Sequence, residues 1–232
     1  MMVPMWSRRL LSLTIALAWA APSWPAGLAV GSLDEDPSEL AAAVQRKYDH
    51  IRDFSADFVH TYQGGVLKKR LTEAGRVFIK KPGKMRWEYR TPEEKLFVSD
   101  ALKLYSYIPA DKQVVVSPVP PDDQATTPLL FLAGKGDVRR DFTPSTPPMP
   151  VGLPAGIRVV KLVPRSSQPD YDWLILAVDP GSLALKSLIT SDAQGGTSTF
   201  TFANLKENTG ISDKAFEFRI PRGVAVVTES TR

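Results

Sequence analysis

The 232-residue sequence contains no cysteine and only two histidines. Lack of cysteine excludes a thiol nucleophile, any disulfide and any thiolate metal ligand. It also excludes lipid attachment through an N-terminal lipobox, which needs that residue. His50 and His60 are ten positions apart with no acidic cluster to complete a metal site, so both are assigned to surface or hairpin positions. Glycine is arranged neither as a phosphate-binding loop nor as a Gly-x-Ser-x-Gly elbow. The paired carboxylates Glu93-Glu94 and Asp122-Asp123, and the run Asp34 to Asp36, fall in turns or at helix starts, where solvation or capping explains them. These absences argue against an enzyme and against a metal centre. Charge of one sign is also lacking: the formal net charge is +4, and removing Arg8 and Arg9 leaves +2, too weak and scattered for nucleic acid. The basic run Lys68-Lys69-Arg70 reads as a solvated hairpin tip.

Long apolar runs are scarce as well. One occurs at Leu10–Ala21, behind Arg8 and Arg9, and it is shorter than the about 20 residues a membrane-spanning helix needs. With the small residues Ala18 and Ala20 it reads as an export signal over residues 1–20, with cleavage between 20 and 29. The remainder, 30–232, is expected to fold as a single soluble domain.

What is abundant is alternation. Lys84–Arg90 places Met85, Trp87 and Tyr89 on one face of a strand and charges on the other. Before it, a helix is expected over 34–52, capped by Asp36, with Pro37 at its first position and an apolar stripe of Leu40, Val44, Tyr48 and Ile51. Short strands follow at 54–62, 75–81, 84–90, 95–99, 102–108 and 113–117, joined by tight turns, which indicates an antiparallel meander. Prolines 118, 120 and 121 break it. Pro128 then opens a short apolar helix, Leu129, Leu130, Phe131 and Leu132, closed by Gly134. Residues 143–156 form a proline-rich loop, expected to be exposed. Strands resume at 158–164, 172–178, 185–191, 197–202 and 216–220, followed by 224–227. With no linker elsewhere, the expectation is one sheet interrupted by a loop, presenting one apolar, aromatic face.

Several stretches then resemble the periplasmic outer-membrane lipoprotein carrier family, LolA. They are Gly75–Tyr89, Phe97–Asp100, Leu104–Pro109, Gln113-Val114, the Thr127-Pro128 helix and Phe216–Val224, and the resemblance runs in order over most of 38–228. It implies a mainly β fold, a strongly curved antiparallel sheet forming an unclosed barrel, with helices covering its concave face. It implies a periplasmic monomer without cofactor that shields lipoprotein acyl chains. The carrier would be loaded by an inner-membrane lipoprotein-releasing transporter and unloaded to an outer-membrane acceptor. The acyl-chain cavity implied comprises Phe78, Met85, Trp87, Tyr89, Phe97, Leu129, Leu130, Phe131 and Leu132, with the 128–133 helix as a movable lid. The family often has an arginine before the proline at position 82, holding the lid through backbone carbonyls; here that latch position is Lys81. The alternative is a lipid- or lipoprotein-sensing regulatory module of the same fold.

Overall fold

The computed structural model describes residues 36–66, 68–119, 137–168 and 170–229. The export signal and the 128–133 helix, with Leu129, Leu130, Phe131 and Leu132, lie outside the described residues.

The first helix, α1 (Pro37–His50), starts as its sequence demands: the Asp36 carboxylate accepts from the Ser38 amide at 2.8 Å and Pro37 opens the first turn. Its stripe of Leu40, Val44 and Tyr48, continued by Ile51, is buried. The strands are β1 (Asp53–Gln63), β2 (Arg70–Lys80), β3 (Lys84–Thr91), β4 (Lys95–Asp100), β5 (Lys103–Ile108) and β6 (Gln113–Pro118), then β7 (Phe142–Ser145), β8 (Arg158–Pro164), β9 (Trp173–Val178), β10 (Leu185–Ser191), β11 (Thr197–Glu207) and β12 (Ala225–Thr228). A one-turn helix, α2 (Val138–Asp141), precedes β7. Among the described residues the strands form one curved 12-stranded sheet in the order β12-β6-β5-β4-β3-β2-β1-β11-β10-β9-β8-β7, with β12 and β7 at its edges and no closure into a barrel. The long central strands β11, β1 and β2 carry register shifts at Ser55/Asp57 and Ala74/Gly75, and such bulges bend and twist a sheet.

Two expectations are corrected. The start of the proline-rich loop forms the edge strand β7, where Pro144 is tolerated because an edge strand need not donate on both sides. The alternating segment Phe216–Ile220 is not a strand. Residues 208–223 instead cross the convex face as a strap, and only Ala225–Thr228 rejoins the sheet, pairing parallel to β6. The strap begins at Asp53, 4 % exposed, whose carboxylate accepts from the Thr209 amide (2.8 Å), the Thr209 hydroxyl (3.2 Å) and the Gly210 amide (3.1 Å). Asp213 then pairs with Lys80 (2.7 Å) and Lys84 (3.1 Å). The 3-10 turn Asp213–Phe216 packs on β3 and β4 and buries Phe216, and the Phe218 ring lies against Tyr105 and Tyr107.

Candidate functional site

The concave face is built by the period of two. On β3, Met85, Trp87 and Tyr89 are buried while Lys84, Arg86 and Glu88 face the strap side. The side of Met85, Trp87 and Tyr89 also receives Phe54, Ala56 and Phe58 from β1, Val77 and Ile79 from β2, Leu188 from β10, and Phe200 and Phe202 from β11. The rings interlock mostly edge to face. Phe58 meets Trp87 at 5.0 Å and Tyr89 at 4.9 Å between centroids, and Trp87 meets Phe200 at 5.4 Å. Such pairs add about 0.5–1.5 kcal/mol each beyond the area they bury. Gly75 makes this possible. A Cβ there would stand 2.0 Å from the Glu88 carbonyl oxygen and 2.9 Å from the Phe58 ring, so only glycine lets that ring lie across β2.

Of the residues proposed from the sequence, Met85, Trp87, Tyr89 and Phe97 are brought together here; Phe97 is half-buried with its ring 5.7 Å from that of Tyr89. Phe78 is not among them. It lies between Val77 and Ile79, so the pleat turns it to the opposite face, where the Arg76 guanidinium sits 5.3 Å from its ring centre.

α1 closes one end of this face, packing on α2, β7 and β8. Polar ties hold it, and one is the Lys47 ammonium donating to the Ser182 carbonyl at 3.0 Å. Lys81 donates from its ammonium to the Tyr48 carbonyl in the last helical turn, where a cation is favoured. The Leu185 amide donates to the Tyr48 hydroxyl (3.3 Å), Lys47 pairs with Glu207 (2.9 Å), and the Val138 amide donates to Gln45 Oε1 (2.8 Å). Burial pushes the Lys81 pKa down, partly opposed by Asp49. Lys81 thus meets a backbone carbonyl, and that carbonyl belongs to α1.

At the other end lies a polar cluster. His60, assigned to a surface or hairpin position from sequence, stands in the β1–β2 hairpin with its ring on the concave side, stacked on Phe200 at 4.1 Å and 3°. Its Nδ1 lies 3.5 Å from the Glu73 carboxylate and from the Tyr89 hydroxyl, and Lys95 pairs with Glu73 at 2.6 Å. Burial lowers the His60 pKa, against the opposing pull of Glu73. It raises that of the Tyr89 hydroxyl, with Glu73 adding to the rise. Glu73, His60, Phe58, Phe200 and Phe202 were not nominated from sequence. The alternations 54–58 and 200–202 carried the signal for the phenylalanines, while a buried carboxylate has none.

Two surface grooves lie elsewhere. One of about 270 Å³ runs beside Glu88, Arg90 and Tyr107 and touches the aromatic face only through Tyr89; another of about 460 Å³ lies between β5, β6, β12 and Ile220. Among the described residues no group of histidine, aspartate and glutamate is placed to hold a metal, and no helix is long and apolar enough to cross a membrane.

Comparison with known proteins places this arrangement. An outer-membrane lipoprotein carrier protein of Cupriavidus pinatubonensis is 28% identical over 201 residues, covering 83% of this chain and 91% of that one. One of Methylobacillus flagellatus is 30% identical over 155 residues, covering 67% and 72%. Among solved structures, an uncharacterized conserved protein from Thermus thermophilus aligns with a TM-score of 0.48 at 16% identity, over 84% of this chain and 100% of that one. A LolA superfamily protein from Nitrosomonas europaea aligns at 0.43 and 14%, over 77% and 97%. The sequence profile of the outer membrane lipoprotein carrier protein LolA matches residues 49–219, and the chain belongs to that family.

Proposed function

We propose that this chain carries lipoproteins between the inner and outer membranes by covering their acyl chains with its concave aromatic face. The single observation behind this reading is the chemistry of that face: Phe58, Trp87, Phe200 and Phe202 converge from three different strands into one apolar surface. Exposing an acyl chain to water costs about 0.8 kcal/mol per CH₂, so a soluble carrier must supply an apolar cover of this kind. The chain acts by binding and release, without catalysis. Residues 1–20 direct export, residues 30–232 form the carrier domain, and the periplasm is its compartment. An inner-membrane releasing transporter loads it and an outer-membrane acceptor relieves it of cargo. Met85, Trp87, Tyr89 and Phe97, with Leu129 to Leu132, contact the chains; Lys81 biases the covering elements toward closure. Purification from the periplasm followed by mass spectrometry should recover a triacylated lipoprotein with the protein. Recovery of the protein free of acylated cargo, even from cells with a blocked acceptor, would refute the reading.

A further inference from the structure

Within the aromatic face two ring nitrogens are buried without a hydrogen-bond partner: Trp87 Nε1 and His60 Nε2. Among the described residues two other buried polar atoms also lack hydrogen bonds, Arg76 Nε and Glu207 Oε1, but each faces an opposite charge within 4 Å, Asp57 and Lys47. The ring nitrogens have no such compensation. Trp87 is 1 % exposed, and its indole N–H is a buried donor without an acceptor. Leaving a buried donor unmade is costly, and each instance asks for a reason. Both rings pack on the same phenyl group: His60 lies flat on Phe200 at 4.1 Å, and Trp87 meets it in an edge-to-face pair at 5.4 Å.

Their chemistry is complementary. The His60 Nδ1 lies 3.5 Å from the Glu73 carboxylate, which only accepts, and from the Tyr89 hydroxyl, which can donate or accept; with the Nδ1 proton directed at Glu73, Nε2 is a bare acceptor. The face therefore offers one donor and one acceptor in otherwise apolar surroundings. A hydrocarbon chain satisfies neither, an ester supplies only an acceptor, and an amide supplies both.

We propose that Trp87 Nε1 and His60 Nε2 form a polar subsite that reads the amide at the head of an acyl chain, the indole donating to the acyl carbonyl and the imidazole accepting from the amide N–H. This rests on the acyl-chain reading of the face and adds to it a specificity for how the chain is linked. The apolar rings then hold the chain, and the two nitrogens fix its depth.

The test displaces a fluorescent fatty-acid probe from the full-length mature protein with N-methyldodecanamide, methyl dodecanoate and tetradecane, which share one chain length. Trp87→Phe should weaken the amide and the ester by about fivefold or more relative to tetradecane, the effect of one lost hydrogen bond. His60→Phe, which keeps the stack on Phe200, should weaken the amide relative to the ester. Should all three ligands change by one factor in both variants, the nitrogens contribute packing only and the proposal falls. If tetradecane fails to displace the probe from the unaltered protein, the acyl-chain reading itself is wrong. A second readout needs no folded variant to bind. The Trp87 indole N–H resonance should move downfield with the amide and the ester and stay in place with tetradecane; an unmoved resonance with all three overturns the proposal.

Discussion

The two faces of the sheet are sealed by opposite means. On the convex side, a strap of the chain's own backbone is held by directional polar contacts: Asp53 accepts three hydrogen bonds at its start, Asp213 bridges Lys80 and Lys84, and Phe216 fills the apolar space beneath. On the concave side, rings pack on rings, and two buried nitrogens go unsatisfied. Hydrogen bonds fix geometry, whereas aromatic and aliphatic contacts are non-directional and can be exchanged for contacts with another apolar body at little loss. The convex seal suits permanent structure. The concave seal suits a surface that gives up its own contacts for those of an acyl chain, and its ties through α1 are few enough to be released.

The sharpest break of this contrast comes from two neighbours on β3. Trp87→Glu puts an unpaired carboxylate in the aromatic face and should cost about 4 kcal/mol or more, or prevent folding. Arg86→Glu, on the strap side, loses a 2.7 Å pair with Glu88 and should cost about 1 kcal/mol while leaving fatty-acid binding intact. Urea unfolding and probe titration of both variants check this, and equal effects would show the faces are wrongly assigned.

Next in size is the strap. Asp53→Ala leaves the Thr209 and Gly210 amides without their acceptor and should cost about 2–3 kcal/mol. Hydrogen exchange should rise over residues 208–220, with the affinity for a fatty-acid probe unchanged. A large loss of affinity would mean that the convex seal also governs the binding face.

Lys81→Leu removes the ammonium from the Tyr48 carbonyl at a cost of about 1 kcal/mol. Exchange should quicken in the last turn of α1, and the variant should release cargo to an acceptor less effectively than its stability loss explains, because it shifts the closed–open balance. Unaltered exchange at Tyr48–Ile51 would remove Lys81 from the latch.

The smallest expected effect is in pH. Burial holds the folded His60 pKa below its ordinary 6.5. Between those values the unfolded chain binds a proton that the folded chain does not, so stability falls as pH drops through 6.5 and levels off below the folded value. Thermal melts from about pH 7.5 to about 5 should show a steeper loss for the unaltered protein than for His60→Gln. A parallel pair of curves would place His60 in water.

The same contrast marks what the sequence made legible. The stripe Leu40–Val44–Tyr48–Ile51 and the alternation of Met85, Trp87 and Tyr89 record burial on one face, so α1 and β3 were readable directly. Phe78 was misassigned to that face because aromatic character outweighed its register: between Val77 and Ile79 the pleat sends it outward. Phe216–Ile220 alternates like a strand, yet its rings alternate because one inserts under the strap and the next lies on Tyr105 and Tyr107. Glu73 was passed over because a charged residue in a strand reads as solvent-facing, and nothing local shows that His60, read as a surface or hairpin position, turns inward; only the fold brings Lys95 and Tyr89 to them. The parallel pairing of β12 joins positions far apart in sequence and leaves no local trace.

The central claim, that acyl chains occupy the concave face and not the convex one, can be read in a protein spanning residues 30–232 from its two tryptophans. Trp87 lies in the aromatic face, and Trp173 lies on the other side of the sheet beneath Lys161, 4.8 Å from its ring centre. Brominated palmitate quenches indole fluorescence only at contact. Titrated into a Trp173→Phe variant, which keeps Trp87, it should quench most of the buried-indole emission in step with binding; titrated into the unaltered protein, it should leave the Trp173 component bright. Quenching of Trp173 with Trp87 untouched, at saturating ligand, would put the acyl chains on the wrong face and contradict the account.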